Sequence, residues 1–167
     1  AALLAGRLDF ELATDPPVSV SAMSVSRSKI GFSGVDIRLP AATLAAGLPD
    51  MAGWGVAGEI RLVADQLAFG PGQTAGGLTL HWQAAGSSLS PVSPLGDYAL
   101  DVKGQDHGWQ ASLRTTAGPL QISGEGAWRP GADARFEATA VVPPALRAEL
   151  SPFLRLLASE RSDGQFH

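Results

Sequence analysis

Residues 76–142 read GGLTLHWQAAGSSLSPVSPLGDYALDVKGQDHGWQASLRTTAGPLQISGEGAWRPGADARFEATAVV, and this stretch decides the fold. Leu78, Leu80 and Trp82 alternate with Thr79, His81 and Gln83; Tyr98, Leu100 and Val102 alternate with Ala99, Asp101 and Lys103. The same rhythm recurs at Trp109–Leu113, at Leu120–Ile122 and at Phe136–Val142. Side chains on a strand point alternately to opposite faces, so this pattern predicts four or five short strands with one apolar and one polar face. Gly or Pro closes each strand, in the loop from Ser87 to Gly96, then at Lys103–Gly108, Thr116–Pro119 and Arg129–Gly131. Turns this short make neighbouring strands antiparallel, giving an up-and-down meander. The pattern specifies a surface and no chemistry.

Toward the N-terminus the alternation continues. Leu8, Phe10 and Leu12 share one face of a strand over Arg7–Ala13, which Asp15-Pro16-Pro17 ends, and Val18, Val20 and Ala22 mark a second strand. Ser28–Phe32 and Val35–Leu39 read as two strand pieces broken at Ser33-Gly34, by a bulge or a tight turn. Pro40–Ala46 is predicted helical, with Pro at the first helical position and Gly47 where a left-handed cap belongs. Strand alternation resumes over Val56–Ala64 and extends to Leu67–Phe69.

After Val142 the period changes. Leu146, Leu150, Phe153, Leu154 and Leu157 fall three and four apart, one face of a helix opened by Pro143-Pro144 and interrupted at Ser151-Pro152, as two short helices or one kinked helix. This apolar stripe is the natural lid for the apolar face of the sheet. The expected fold is mainly β: an antiparallel, curved up-and-down sheet with a short C-terminal helical segment packed on it. The expected division of a single domain, 1–167, is N-terminal strands over 1–70, the meander over 71–142, a helical segment over 143–160, and a tail or truncated strand over 161–167.

Composition narrows the function. The net charge of −4 is not clustered; a nucleic-acid partner requires a basic patch, and a polybasic membrane contact a basic run, and neither is present. The absence of Cys excludes disulfides, thiolate metal sites and thiol nucleophiles. No apolar run approaches the ~20 residues of a spanning helix. A chain opening on Ala1 reads as a processed product or an excised fragment, which leaves room for a removed targeting or anchoring segment.

Nothing in the residues assembles a reaction centre or points to a cofactor or metal. His81, His107 and His167 lack the close spacing of metal ligands. Asp106-His107 has no nucleophile elbow to serve; the nearest look-alike, Gly86-Ser87-Ser88, sits in a Ser/Pro loop. Gly124-Glu125-Gly126 lacks the Lys and the helix of a phosphate loop, and glycines mid-strand mark bends or close backbone approach. No two carboxylates single themselves out as a glycosidase pair. Trp82 and Trp109 lie on the apolar phase and read as core, whereas Trp54, between Gly53 and Gly55, reads as the most exposed tryptophan and the candidate partner contact.

The segment Trp82–Gly164 resembles the C-terminal half of type II secretion system protein N. The resemblance rests on Trp82-Gln83-Ala84, on Leu95-Gly96-Asp97-Tyr98, on the run Thr115–Trp128, on the Pro-Pro helix with its Leu-rich stripe, and on Asp163-Gly164. Its most specific piece is the Gly-Pro-Leu-x-hydrophobic-x-Gly-x-Gly run from Gly118 to Gly126. The resemblance implies the periplasmic domain of an inner-membrane-anchored protein, its anchor absent from this chain, that serves the export of folded proteins. It carries no catalytic motif. It implies a non-enzymatic scaffold or assembly role, with inner-membrane platform proteins and the outer-membrane secretin as partners. The alternative reading of the amphipathic sheet is a lipid- or hydrophobic-ligand-binding domain; a cell-wall glycan hydrolase would require a pair of facing carboxylates.

Overall fold

The computed structural model describes residues 7–12, 18–25, 30–47, 53–70, 73–105, 108–129, 134–156 and 165–166. Ten strands pair strictly in chain order into one antiparallel sheet: β1 (Arg7–Leu12), β2 (Val18–Val25), β3 (Ile30–Pro40), β4 (Val56–Gly70), β5 (Gln73–Ser87), β6 (Gly96–Gln105), β7 (Gly108–Ala117), β8 (Gln121–Trp128), β9 (Arg135–Val141) and β10 (Gln165–Phe166). The mainly β meander read from the sequence is therefore the fold. The sheet is not flat: β5 and β7, which are second neighbours, come within 8 Å at Cα, closer than two strand spacings allow.

Gly34 does not break β3. It adopts φ +63 while β3 keeps register with β2 and β4 on both sides of it, so the residues read as two pieces form one strand. The irregularity is shared among strands. β4 carries an extra residue relative to β5 between Val63 and Gln66, and β2 carries one relative to β1 between Val20 and Met23. One level of the sheet is thus one residue longer in β2, β3 and β4. In β4 this leaves both Ala64 and Leu67 buried, with Asp65 and Gln66 exposed between them. Gly76 completes the device; at φ +99 it lies opposite Leu67, where a Cβ would fall 2.0 Å from the Gln66 carbonyl oxygen.

Helix α1 (Ala41–Ala46) starts one residue later than expected, with Pro40 as its cap. Gly47 is right-handed (φ −81), not left-handed, because its N–H donates to the Leu44 carbonyl at 3.1 Å in a tightened last turn. At the other end of the chain a 3-10 turn (Pro144–Leu146) leads into α2 (Arg147–Leu154). Ser151-Pro152 does not interrupt α2. The Ser151 hydroxyl donates back to the Arg147 carbonyl at 2.7 Å instead of capping a new helix, and Pro152 removes a single N–H near the helix end.

The core has two parts. Leu150, Phe153 and Leu154 of α2 pack with Leu95, Leu120, Ala140 and Val142, covering the ends of β8 and β9. The second cluster holds Val35, Ala64, Leu67, Val102, Trp109 and Ala111 on the apolar face of β3–β7, and no α2 residue belongs to it. The helix is therefore a lid over one end of the sheet only. Among the described residues no helix is long and apolar enough to cross a membrane. Leu157, His107, His167 and the turns read at 15–17, 71–72, 130–131 and 162–164 lie outside the described residues.

Candidate functional site

Register converts the alternating pattern into rungs that cross the sheet. On the apolar face Ile37, Leu62, Leu80, Leu100 and Leu113 stand opposite one another from β3 to β7, spanning about 19 Å at the usual strand spacing. All five are half-buried. One flanking rung runs Leu39, Ile60, Trp82, Tyr98; the other runs Leu78, Val102, Ala111, Gly126, Phe136. None of these side chains is charged.

Aromatic residues border the strip. Trp109 is buried and stacks on Trp128, with centroids 6.2 Å apart and planes at 18°. Trp82 is only half-buried; it tilts against Tyr98 and donates its indole N–H to the Ala57 carbonyl at 2.9 Å. Tyr98 is buried and donates to the Leu120 carbonyl at 3.1 Å, which ties the meander to the helix-covered end. Burial, then the nearby Asp97 carboxylate, push its phenol above the ordinary range.

The opposite face is polar. Thr79, Asp101, Ser112, Glu125 and Glu137 form one rung, flanked by Arg61, His81 and Arg114 on one side and by Lys103, Gln110 and Arg135 on the other. Asp101 accepts from Thr79 at 2.7 Å and from Arg114. The Arg114 guanidinium, then the Thr79 hydroxyl, hold the Asp101 carboxyl below the usual carboxylate range. On the neighbouring strands Arg61 grips Asp36 with both nitrogens, at 2.9 and 2.6 Å, and likewise lowers its pKa. Two open grooves of about 570 and 590 Å³ lie on this face and share Asp101 and Lys103. Asp36 and Asp101 cross-brace strands through these cations and a hydroxyl, whereas Glu125 and Glu137 stand across from each other.

The structure separates the residues that composition made candidates for chemistry. His81 is half-buried at the second groove, and no group of three or more His, Asp and Glu among the described residues comes together as metal ligands would. Gly86 and Ser87 are not in a loop: they are the last residues of β5 and buried, and the Ser87 hydroxyl donates to the Trp54 carbonyl at 2.5 Å. Gly124 and Gly126 lie mid-strand, where a Cβ would come within 2.8 Å of the Glu137 carbonyl oxygen or 2.4 Å of the Phe136 ring. Their role is the close approach of β9. Trp54 is half-buried in the turn before β4, held through its carbonyl by Ser87, with Ser88 donating its N–H to Gly55 at 3.0 Å. Sequence reading gave no sign of the rung order, which depends on bulges such as the one at Gln83-Ala84, where Ala84 takes φ +47 and donates its N–H to Asp97 at 2.7 Å.

A family model described as type II secretion system (T2SS), protein N, matches residues 1–167, the N-terminal strands as well as the meander. No curated protein and no solved structure matches the chain.

Proposed function

This chain belongs to the type II secretion system protein N family and is thus a component of that apparatus, and on that premise we propose that it acts there as a non-enzymatic scaffold or assembly factor, through protein–protein contacts. The observation that carries the reading is the uncharged rung Ile37–Leu62–Leu80–Leu100–Leu113, half-buried and outside the cluster that α2 covers. An aliphatic strip left partly open on an ordered sheet marks a contact surface. Trp54, at the loop end of β4, adds a candidate contact residue, since a tryptophan with its backbone pinned presents its ring at low entropic cost. The working location is the periplasm, attached to the inner membrane, and the partners are the inner-membrane platform proteins and the outer-membrane secretin. The test is capture with the immobilised periplasmic domains of those partners. Retention that Leu100→Asp or Trp54→Ala weakens supports the role, and no retention by any of them overturns it.

The same strip favours one second reading. Its length of about 19 Å is that of an extended acyl chain of about sixteen carbons, so it could lay such a chain along the rung. Native mass spectrometry of the purified protein separates the two: a co-purifying lipid supports ligand binding, and a bare mass throughout removes it.

A further inference from the structure

The connections at the two ends of the sheet differ in charge. Those that follow the odd-numbered strands, residues 13–17, 41–55, 88–95, 118–120 and 142–146, contain two charged residues, Asp15 and Asp50. Those that follow the even-numbered strands, 26–29, 71–72, 106–107 and 129–134, are shorter in total and contain Arg27, Lys29, Asp106, Arg129 and Asp133. Exposed apolar side chains gather at the first end. Leu44 on α1 is 42% exposed and Leu89 after β5 is 45% exposed. Val141, the last residue of β9, is exposed as well. Trp54 stands half-buried at the same end, its carbonyl held by the Ser87 hydroxyl two residues before Leu89. Backbone bonds tie these connections into one ordered rim: Ser88 donates its N–H to Gly55 at 3.0 Å, Leu95 to Ala85 at 2.7 Å, and Leu120 to Leu95 at 3.0 Å.

From this distribution we infer that the uncharged end dips into the interfacial layer of a phospholipid bilayer, with Leu44, Leu89 and Trp54 as the inserted side chains. They stand on separate connections. A folded partner requires one contiguous complementary surface, whereas a fluid lipid layer admits separate tips. Each leucine gains by leaving water in proportion to the area it buries. A tryptophan suits the headgroup level, where its ring is apolar and its N–H stays wet. Charge is costly at that depth, which gives the absence of Lys, Arg and Glu from these connections a physical reason. Charged residues resume at Arg38, Glu59, Asp97 and Arg147, a few residues back along β3, β4 and β6 and at the start of α2, where water and headgroups satisfy them. The two charges that remain, Asp15 and Asp50, are both acidic, so anionic lipid does not strengthen the contact and salt does not weaken it. Two leucines and one tryptophan make a shallow, reversible attachment. The inference shares Trp54 with the scaffold reading but not the open rung, and its test contains no partner protein, so either reading fails alone.

The test is flotation of the unaltered 167-residue chain with phosphatidylcholine vesicles at rising lipid concentration. Co-flotation is expected, equal at low and high salt. Leu44→Asp or Leu89→Asp weakens it about tenfold while circular dichroism shows a folded sheet, and Arg129→Ala at the opposite end leaves it unchanged. Brominated phosphatidylcholine provides a readout that needs no leucine variant: it quenches tryptophan fluorescence, and Trp54→Phe removes that quenching. Quenching that persists in Trp54→Phe overturns the inference, because the half-buried Trp82 then meets the lipid and the contact is the sheet face, not its end. No flotation at any lipid concentration overturns it, as does flotation that requires anionic lipid, is lost in high salt or is indifferent to both leucine variants. Self-association of the chain that the same variants weaken, without flotation, also overturns it and assigns this end to a second copy.

Discussion

At the end of the sheet that α2 covers, Leu120, Val142 and Leu150 are at most 2% exposed; two rungs away, Leu80, Leu100 and Leu113 share the same face and remain half-buried. The residue types are alike and the face is the same, yet one region is closed and the other is not. The difference lies in what is packed on top. The stripe Leu150–Phe153–Leu154 is a single helical face with room for one patch, and it is spent on the ends of β8 and β9. The open region is held in shape from its other side, by the Arg61–Asp36 pair and the Thr79–Asp101–Arg114 brace. One part of the molecule supplies stability, and the other offers a surface.

This contrast can be broken by mutation, beginning where the effect is largest. Leu150→Ala leaves a cavity in the closed end and is expected to cost about 3 kcal/mol in chemical denaturation, whereas Leu80→Ala in the open rung costs about 1 kcal/mol or less. Equal costs would show that the open strip is covered. Gly76→Ala forces a side chain into φ +99 against the Gln66 carbonyl and should cost about 2 kcal/mol or more, read the same way. Tyr98→Phe deletes the link between the regions and should cost about 1 kcal/mol. It also carries a pH signature. The phenol's folded pKa is raised, so its contribution is complete below its unfolded pKa of about 10 and is lost as pH rises through the folded value; thermal melts of Tyr98→Phe should lack that alkaline loss. The smallest effect has the opposite sign. The folded pKa of Asp101 is lowered, so its contribution is present above the unfolded value of about 3.9 and disappears as pH falls through the folded one. Asp101→Asn should flatten the acid limb of the melting curve by less than about 1 kcal/mol, since a partly exposed pair is worth little.

Much of this organisation was legible in the chain. A period of two over Leu78–Trp82, Tyr98–Val102 and Trp109–Leu113 fixes which side chains share a face, and short turns fix the antiparallel order. Spacings of three and four fix the buried face of α2. The shared extra residue in β2, β3 and β4 was not legible, because Ser33-Gly34 gives the same local signal whether a strand ends or three strands shift together. How far the helix reaches was also hidden, since the stripe shows that a face is buried and not against which rung. For the site, the tryptophan pattern placed Trp109 in the core, but the half-burial of Trp82 depends on its bond to Ala57 across a bulge. The structural role of Ser87 depends on a contact with Trp54 that lies 33 residues away.

The central claim is that the open strip is where this component meets the rest of the secretion apparatus. Site-specific photo-cross-linking in cells tests it directly, with the probe placed in turn at Leu80, at Leu113 and at Glu149 on the exposed side of α2. The account predicts adducts with other secretion components from Leu80 and Leu113 and few or none from Glu149. Adducts from Glu149 alone, or none from the strip while secretion is active, would contradict it.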